Sequence, residues 1–322
     1  MKNQQVNINK PMQWKADIAR SVDMYNEWFM RFAPRAFQET RSKTTEEVKA
    51  ALQASKNLTD ITPEMLRKHP EILPTLRMST CPPLAVDRLI GLAQASASMI
   101  KRMENMQKIP ARMSAAAVDA ELAKIGDIIK KMADPDIFVW LARAKPATKE
   151  EVHRAATIVA DRLCGAVANP IIRNAQEKRQ LASIKEWLEA RGYRHLEQGA
   201  AVNFQTMPPG TFNFRLNVPA KLSGNRKVNI PIDAVIMPKT TTNGDLPLFF
   251  EAKSAGDFTN TNKRRKEEAA KMTQLRNTYG KSVRFNLFLC GYFDSGYLGY
   301  EAAEGIDWVW EHRIDDFVKM GL

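Results

Sequence analysis

The sequence predicts an α+β or α/β protein in which an N-terminal all-helical region precedes a mixed β-sheet core flanked by helices. Residues 1–170 carry apolar side chains at three- and four-residue spacing, which is the period of amphipathic helices. After Asn169-Pro170 the pattern changes to short apolar runs separated by turn sequences such as Thr242-Asn243-Gly244-Asp245, as in β-strands. We therefore predict two domains, residues 1–170 and residues 171–322.

The first half of the chain predicts a series of helices. Trp14 to Phe32 carries an apolar stripe, and we expect this helix to end at Pro34, which has no amide hydrogen to donate. Thr148-Lys149-Glu150-Glu151 has the residues of a capping box and starts another helix toward Val167. The remaining predicted helices begin at Thr44 and Thr62 and cover about Leu84–Met103, Ser114–Met132 and Asp136–Arg143.

The second half predicts strands that are interrupted by one helix. A long helix from about Ile171 to Ala190 ends near Gly192, because glycine is a favoured residue just after a helix. A later helix near Asn262–Tyr279 separates the third predicted strand from the fourth. The predicted strands are Asn213–Val218, Val228–Met237, Leu246–Lys253, Arg284–Tyr292 and Asp307–Glu311.

The composition indicates the class of partner. A net charge of +12 and a pI near 9.6 favour polyanions, with nucleic acid first and an acidic membrane second. A membrane is disfavoured because no run approaches 18 apolar residues and the amino terminus lacks a signal peptide's apolar core. Three scattered cysteines and four histidines without ligand spacing indicate reduced thiols rather than disulfides or a zinc site. We predict a soluble, cytoplasmic protein.

Two neighbouring strand-like runs each deliver a carboxylate. Asp233 lies in the first run, and Glu251 and Lys253 end the second. Side chains alternate between the faces of a strand, so Glu251 and Lys253 point the same way, and Asp233 joins them from the adjacent strand. The other acid-any-lysine triplet, Glu47-Val48-Lys49, lies in a helical stretch where the two side chains diverge by roughly 200°. A plain ion pair at a sheet edge is the competing interpretation of Glu251 and Lys253.

Two carboxylates and a lysine in one small space suit magnesium-dependent phosphodiester cleavage. Mg²⁺ prefers oxygen ligands, and Asp233, Glu251 and the main-chain carbonyl of Ala252 are the predicted ligands. A bound metal lowers the pKa of water and neutralises charge on the phosphate. Lys253 is predicted to orient or deprotonate the attacking water and to stabilise the transition state.

The segment after the second strand predicts a DNA contact. A helix that starts at Thr261 or Asn262 places four cations in its first turn, where the helix dipole disfavours them. A DNA phosphate or base edge relieves this conflict, whereas pairing of Lys263 with Glu267 and of Arg264 with Glu268 is the alternative. The predicted DNA-binding residues are Asn260, Asn262, Lys263, Arg264, Arg265 and Lys266.

Two residues on predicted helices are further candidates. Glu177 is either an outer-sphere metal ligand or a solvated helix charge. Gln274 either reaches the active-site side of its helix or is a surface amide. The sequence leaves both alternatives open.

The order Asp233 followed by Glu251-Ala252-Lys253 on successive strands resembles the PD-(D/E)XK nuclease superfamily. One departure is that Pro231 lies two residues before Asp233 rather than next to it. Further stretches are similar to type II restriction endonucleases of the XamI-like group, namely Glu251–Leu275, Trp14–Phe32 and Arg77–Pro83. The resemblance implies a restriction-endonuclease-like core over residues 171–322 and a homodimer whose subunits each cut one strand of a short palindrome with Mg²⁺.

The function predicted from these observations is that of a type II restriction endonuclease, which hydrolyses double-stranded DNA at a specific sequence with Mg²⁺. The helical region, residues 1–170, is then expected to grip DNA, to contribute recognition and to form dimer contacts. A structure-directed repair or junction-resolving nuclease with the same core is one alternative. A non-catalytic DNA-binding protein with a purely structural acidic cluster is the other.

Overall fold

The computed structural model describes residues 5–196, 203–221, 227–242, 244–259 and 261–322, without the side chains of Lys227 and residues 261–264. The chain divides into two compact units. The sheet unit comprises Met1–Phe32 and Arg173–Leu322, and the helical unit comprises Ala33–Ile172.

Nine α-helices lie within the described residues. Four 3₁₀ segments cover Pro70–Ile72, Val139–Ala142, Phe204–Thr206 and Glu311–Met320. The α-helices are α1 (Pro11–Ala54), α2 (Pro63–Lys68), α3 (Leu73–Met78), α4 (Val86–Ala93), α5 (Ala97–Met106), α6 (Ala115–Met132), α7 (Lys149–Ala190), α8 (Thr261–Tyr279) and α9 (Ser295–Ala303).

The helical unit has its own apolar core. Leu66 of α2, Ile125 of α6 and Val159 of α7 are fully buried members of one cluster. Gly126 permits a close approach, because a Cβ at that position would lie 3.0 Å from the carbonyl oxygen of Ile61. The unit is therefore closely packed without any contribution from the β-strands.

Two prolines lie inside long helices, which corrects the predicted helix ends. Pro34 is within α1 and Pro170 is within α7, so the helix predicted to start at Thr44 is a continuation of α1. An internal proline costs about 3 kcal/mol, because one backbone hydrogen bond is lost and the ring clashes with the preceding turn. Neighbouring residues on the same helices, such as Ala33 and Ala168, are buried, and this packing offsets the cost.

The region predicted as one helix from about Leu84 to Met103 is two helices, α4 and α5. Gln94 ends α4 in the left-handed conformation with φ of 46°, and the side chain of Ser96 then caps α5 by accepting from the Met99 amide. The prediction for Ser114–Met132 is confirmed by α6, which Ser114 caps. The helix predicted over Asp136–Arg143 is instead a 3₁₀ segment of four residues.

The sheet is mixed and has six strands in the order β1-β2-β3-β4-β5-β6. The β2–β3 and β3–β4 pairs are antiparallel, whereas β1–β2, β4–β5 and β5–β6 are parallel. Helix α8 makes the crossover that parallel pairing of β4 with β5 requires. The strands are β1 (Arg194–His195), β2 (Thr211–Lys221), β3 (Lys227–Met237), β4 (Leu248–Ala255), β5 (Arg284–Gly291) and β6 (Asp307–Trp310).

Both faces of the sheet are covered. Phe249 and Leu287 point to one face, where they share a cluster with Met272 of α8. Phe250 points to the other face and shares a cluster with Ile184 of α7. Adjacent residues of one strand thus serve opposite cores, and the sheet lies between α8 and the carboxyl-terminal part of α7. The predicted α+β class, with a helix-flanked mixed sheet, is confirmed.

Residues 1–32 belong to the sheet unit, although the sequence pattern assigned them to the helical region. The rings of Trp14 and Trp308 meet edge to face, 5.4 Å apart. Asn7 is buried and donates from Nδ2 to the carbonyl oxygen of Trp308 at 2.7 Å. Helical periodicity identifies an apolar face but not the core that the face joins, which is why the sequence misplaced this segment.

One described helix, α7, is long and apolar enough to cross a membrane by length and composition. A buried core helix passes the same test. Val159 and Leu163 of α7 are buried in the core of the helical unit.

Truncating Trp14 tests whether the amino-terminal segment stabilises the sheet unit. Trp14 is 9% exposed, so Trp14→Ala should lower the free energy of unfolding by about 3–5 kcal/mol in urea denaturation. Met12 is 94% exposed, and Met12→Ala should change it by less than about 0.5 kcal/mol. Equal effects of the two substitutions would contradict the docking of this segment.

Candidate active site

The antiparallel pair β3–β4 brings Asp233 beside Glu251. The pairing register places Ala234 opposite Phe250. Asp233 precedes Ala234 on β3 and Glu251 follows Phe250 on β4, so the two acids are neighbours at the end of the paired segment. The amide of Ala252 donates to Oδ2 of Asp233 at 2.9 Å. The Asp233 carboxylate thus accepts the hydrogen bond that a main-chain carbonyl of β3 would accept in a continued ladder. This hydrogen bond fixes the carboxylate at the end of the paired segment.

Glu251 and Lys253 share a face of β4, as strand alternation predicts. Nζ of Lys253 lies 3.1 Å from Oε1 of Glu251, and their side chains are 18% and 7% exposed. The structure therefore brings together Asp233, Glu251 and Lys253, while their catalytic roles stay predictions. We call Asp233 and Glu251 the carboxylate pair.

Burial and proximity shift the ionisation of this cluster. Burial, followed by the negative charge of Glu251, raises the pKa of Asp233 to about 6. Burial lowers the pKa of Lys253, but the carboxylates of Glu251 and Glu268 more than reverse this effect, so the pKa is raised overall. Lys253 is therefore a charged ammonium at neutral pH.

Helix α8 contributes two residues that sequence reasoning missed. Nζ of Lys271 lies 2.6 Å from Oε1 of Glu251, and Oε1 of Glu268 lies 3.5 Å from Nζ of Lys253. Glu268 is fully buried. The available signal was spacing, because Glu268 and Lys271 are three residues apart and lie on the helix face that also carries the buried Met272.

The cluster lines a cleft of about 280 Å³ in the sheet unit. Its opposite wall comes from α7, through Arg173, Gln176, Glu177 and Gln180. These residues recur at three- and four-residue spacing and therefore present one helix face to the cleft.

Glu177 lies at this cleft and is ion-paired with Arg215 of β2. The distance between Oε1 of Glu177 and a terminal guanidinium nitrogen of Arg215 is 2.7 Å. Arg215 has φ of 55°, which is rare for a residue with a side chain, and it lies between Phe214, which pairs with Ala234 of β3, and Leu216, which pairs with Ile232. Glu177 is thus neither isolated nor freely solvated, and its role as an outer-sphere ligand stays a prediction.

Gln274 is half-buried on α8 and is not among the described residues that line the cleft. A different amide supports the site. Nε2 of Gln180 donates to the carbonyl oxygens of Lys253 and Phe288, each at 3.2 Å. Gln180 thereby fixes the main chain at Lys253 from the α7 side.

The predicted DNA-binding segment is described only in part. Asn260 and the side chains of residues 262–264 lie outside the described residues. The guanidinium of Arg265 lies 4.4 Å from the ring centre of Tyr300, while Lys266 is exposed. Glu268, the predicted surface partner of Arg264, is instead buried beside Lys253.

The carboxylate pair has the properties of a magnesium ligand set. Oε2 of Glu251 is buried and has no hydrogen-bond partner among the described residues, so it is available to a cation. A cation would also relieve the repulsion that raises the pKa of Asp233. No cluster of three or more acidic, histidine or cysteine side chains suited to a metal occurs in the described part of the chain. Mg²⁺ needs only one or two carboxylates, because water and phosphate complete its shell.

A helix-flanked mixed sheet with two carboxylates and a lysine at one cleft defines a restriction-endonuclease-like fold. The family model described as XamI restriction endonuclease matches residues 56–310. Type II restriction enzyme SalI from Streptomyces albus G is 53% identical over 316 residues, which cover 98% of this chain and 99% of that protein. This chain belongs to the XamI restriction endonuclease family.

The solved structures include one distant match, the crystal structure of protein VC1899 from Vibrio cholerae. It has a TM-score of 0.28 and 12% sequence identity, and the match covers 80% of this chain and 57% of that chain. Nothing about the site rests on this similarity.

Replacing Asp233 with asparagine should change how the stability of the metal-free protein depends on pH. The folded-state pKa of Asp233 is raised to about 6, so the folded chain holds this proton more tightly than the unfolded chain. The resulting stability is complete below about pH 4 and is lost as the pH rises through the folded-state value. Urea denaturation in EDTA should show that, between pH 4 and pH 8, the free energy of unfolding of the wild type falls by on the order of 2 kcal/mol more than that of Asp233→Asn. Equal losses would mean that Asp233 ionises normally.

Proposed function

We propose that this protein is a type II restriction endonuclease that hydrolyses phosphodiester bonds of double-stranded DNA at a specific sequence with Mg²⁺. The observation that carries the proposal is the convergence of Asp233, Glu251 and Lys253 on one cleft, in a chain that belongs to a restriction endonuclease family.

The carboxylate pair is proposed to hold the metal, together with the main-chain carbonyl of Ala252. Type II restriction endonucleases generally depend on a divalent metal, and the carboxylate oxygens here suit Mg²⁺. When bound, the metal would supply a water of lowered pKa and would offset negative charge on the phosphate.

Lys253 is proposed to act as a charged donor. Its raised pKa keeps the ammonium protonated, so it can donate hydrogen bonds to the attacking water and to the phosphate oxygens that gain charge. The water oxygen forms the new bond to phosphorus and gives its proton to solvent, while the bond to the leaving oxygen breaks and that oxygen takes up a proton from solvent, which cuts the strand. Of the two roles that the sequence predicts for Lys253, this ionisation supports orientation and charge stabilisation rather than proton removal.

Cations around the cleft favour a polyanionic substrate. Lys271 lies inside the site and Arg173 lines its α7 wall. With a net charge of +12, the chain attracts DNA over a longer range. We propose that the first turn of α8, with Asn260 just before it, adds phosphate or base contacts there.

We further propose a homodimer on a short palindromic site, because a two-fold axis supplies one active site for each DNA strand. The helical unit, Ala33–Ile172, is the proposed source of recognition and dimer contacts. Since its DNA substrate is inside the cell, the proposed location is the cytoplasm.

Digestion of plasmid DNA with and without Mg²⁺ tests the proposed activity. Discrete fragments that appear only with Mg²⁺ are expected. A smear, or cutting only at branched DNA, would instead indicate a structure-directed nuclease. Intact plasmid with retained DNA binding would indicate a non-catalytic DNA-binding protein.

Lys253→Ala should lower the cleavage rate by at least about 100-fold, as loss of one preorganised donor does, while DNA affinity stays within a few-fold. Lys49→Ala is the matched control, because Lys49 ends the other acid-any-lysine triplet but is paired with Glu46. It should cut within about two-fold of wild type, in keeping with an exposed surface substitution. Normal cutting by Lys253→Ala would refute the site assignment.

Joint replacement of Arg264 and Arg265 by alanine should weaken DNA binding and flatten its salt dependence. Each lost phosphate contact lowers the slope of log affinity against log salt by about 0.9. Lys185→Ala serves as the control, since Lys185 is exposed on α7 and lies 3.7 Å from Glu189. An unchanged slope in the arginine variant would show that these side chains do not contact DNA.

A further inference from the structure

Two carboxyl groups are buried behind Lys253. Glu268 of α8 and Glu301 of α9 are both completely inaccessible to solvent. A buried carboxylate is destabilising unless a cation or hydrogen-bond donors stabilise it. Neither Glu268 nor Glu301 belongs to the predicted site. We call these two residues the acidic pair, as distinct from the carboxylate pair of Asp233 and Glu251.

Glu268 is held between α9 and the catalytic cluster. Its Oε2 accepts a hydrogen bond from the buried hydroxyl of Tyr297 at 2.7 Å. Its Oε1 lies 3.5 Å from Nζ of Lys253. Tyr297 is fixed in turn, because its amide donates to Oδ1 of Asp294 at the start of α9. The carboxylate therefore has a defined position and faces the lysine.

The pair of Glu268 and Glu301 has one neutral member, Glu301. Two adjacent buried carboxyl groups do not both ionise. Burial, followed by the charge of Glu268, raises the pKa of Glu301 to about 9, so Glu301 holds a proton at neutral pH. At Glu268, by contrast, the Tyr297 hydroxyl donates a hydrogen bond and the Lys253 ammonium lies 3.5 Å away, and both contacts favour a charged carboxylate.

We propose that Glu268 is a positioning residue for Lys253, whose ammonium it holds in place independently of Glu251. The proposal rests on the proposed nuclease function. Glu251 is engaged by Lys253 at 3.1 Å and by Lys271 at 2.6 Å, and it is also the proposed metal ligand. A second cation bound at Glu251 repels the Lys253 ammonium and so reduces the net attraction that holds Lys253 there. A flexible lysine then needs a second anchor, and Glu268 supplies one from a different element.

Glu268→Gln and Glu301→Gln form a matched pair of tests, because each replaces one buried carboxyl group by an amide of the same shape. Glu268→Gln should lower the rate at saturating DNA and Mg²⁺ by about 100-fold, as expected for a misplaced catalytic group, with DNA affinity in EDTA within three-fold. Glu301→Gln should keep the rate within about five-fold, because an amide preserves its neutral state. Equal losses in the two variants would overturn the proposal and indicate a packing role.

Charge and packing are separated by a third variant. Glu268→Asp keeps the charge but shortens the side chain. Its cleavage rate should therefore be at least about ten-fold higher than that of Glu268→Gln. A purely structural role predicts the reverse order, because aspartate leaves a cavity and glutamine does not. That reverse order would also overturn the proposal.

A metal-free measurement tests the contact itself. In EDTA, the stability changes of Lys253→Met, Glu268→Gln and the double variant should be non-additive, as for two residues in direct interaction. Additive changes would refute the pairing of Glu268 with Lys253. If wild type cuts DNA and Lys253→Ala does not, normal cutting by Glu268→Gln rejects only this inference. Absence of cutting by wild type rejects the proposed function.

Discussion

The carboxylate pair is the constraint on which the sheet unit depends. Asp233 and Glu251 are like charges in a poorly solvated place, and they are destabilising unless donors or cations face them. The fold supplies the Ala252 amide to the first, and the ammonium groups of Lys253 and Lys271 to the second. The Ala252 amide and Lys253 face the pair because of the register of β4, and Lys271 reaches it from α8. The chemistry of the pair therefore restricts both the strand pairing and the placement of the crossover helix.

Sequence reasoning succeeded where the signal was local. Strand alternation has a period of two, so the shared face of Glu251 and Lys253 followed directly from their spacing. The apolar runs of the second half predicted all five longer strands, and the hairpin signal at residues 242–245 indicated that the strands carrying Asp233 and Glu251 are neighbours. Two elements had no clear pattern, because β1 has two residues and α9 is glycine-rich.

The features that the sequence could not predict depend on packing. Glu268 reads as a surface acid with an i,i+4 partner, and only the placement of α8 on the sheet shows that it is buried. Pro34 and Pro170 are local signals to end a helix, but burial on the same helices outweighs a cost of about 3 kcal/mol. The periodicity around Trp14 identified the apolar face correctly and left its partner, the last strand, undetermined.

The split composition of the sheet unit has a consequence for the order of assembly. The amide of Val6 donates to Asp307 across 301 positions of the chain, whereas the helical unit is one uninterrupted stretch. During synthesis from the amino terminus, the helical unit can fold while most of the sheet is still unmade. Residues 5–32 cannot make their contacts with β6 until β6 has been synthesised, and contacts between such distant parts of a chain form late. The sheet unit, which carries the cleft, therefore becomes complete only after β6 has been synthesised, later than the helical unit.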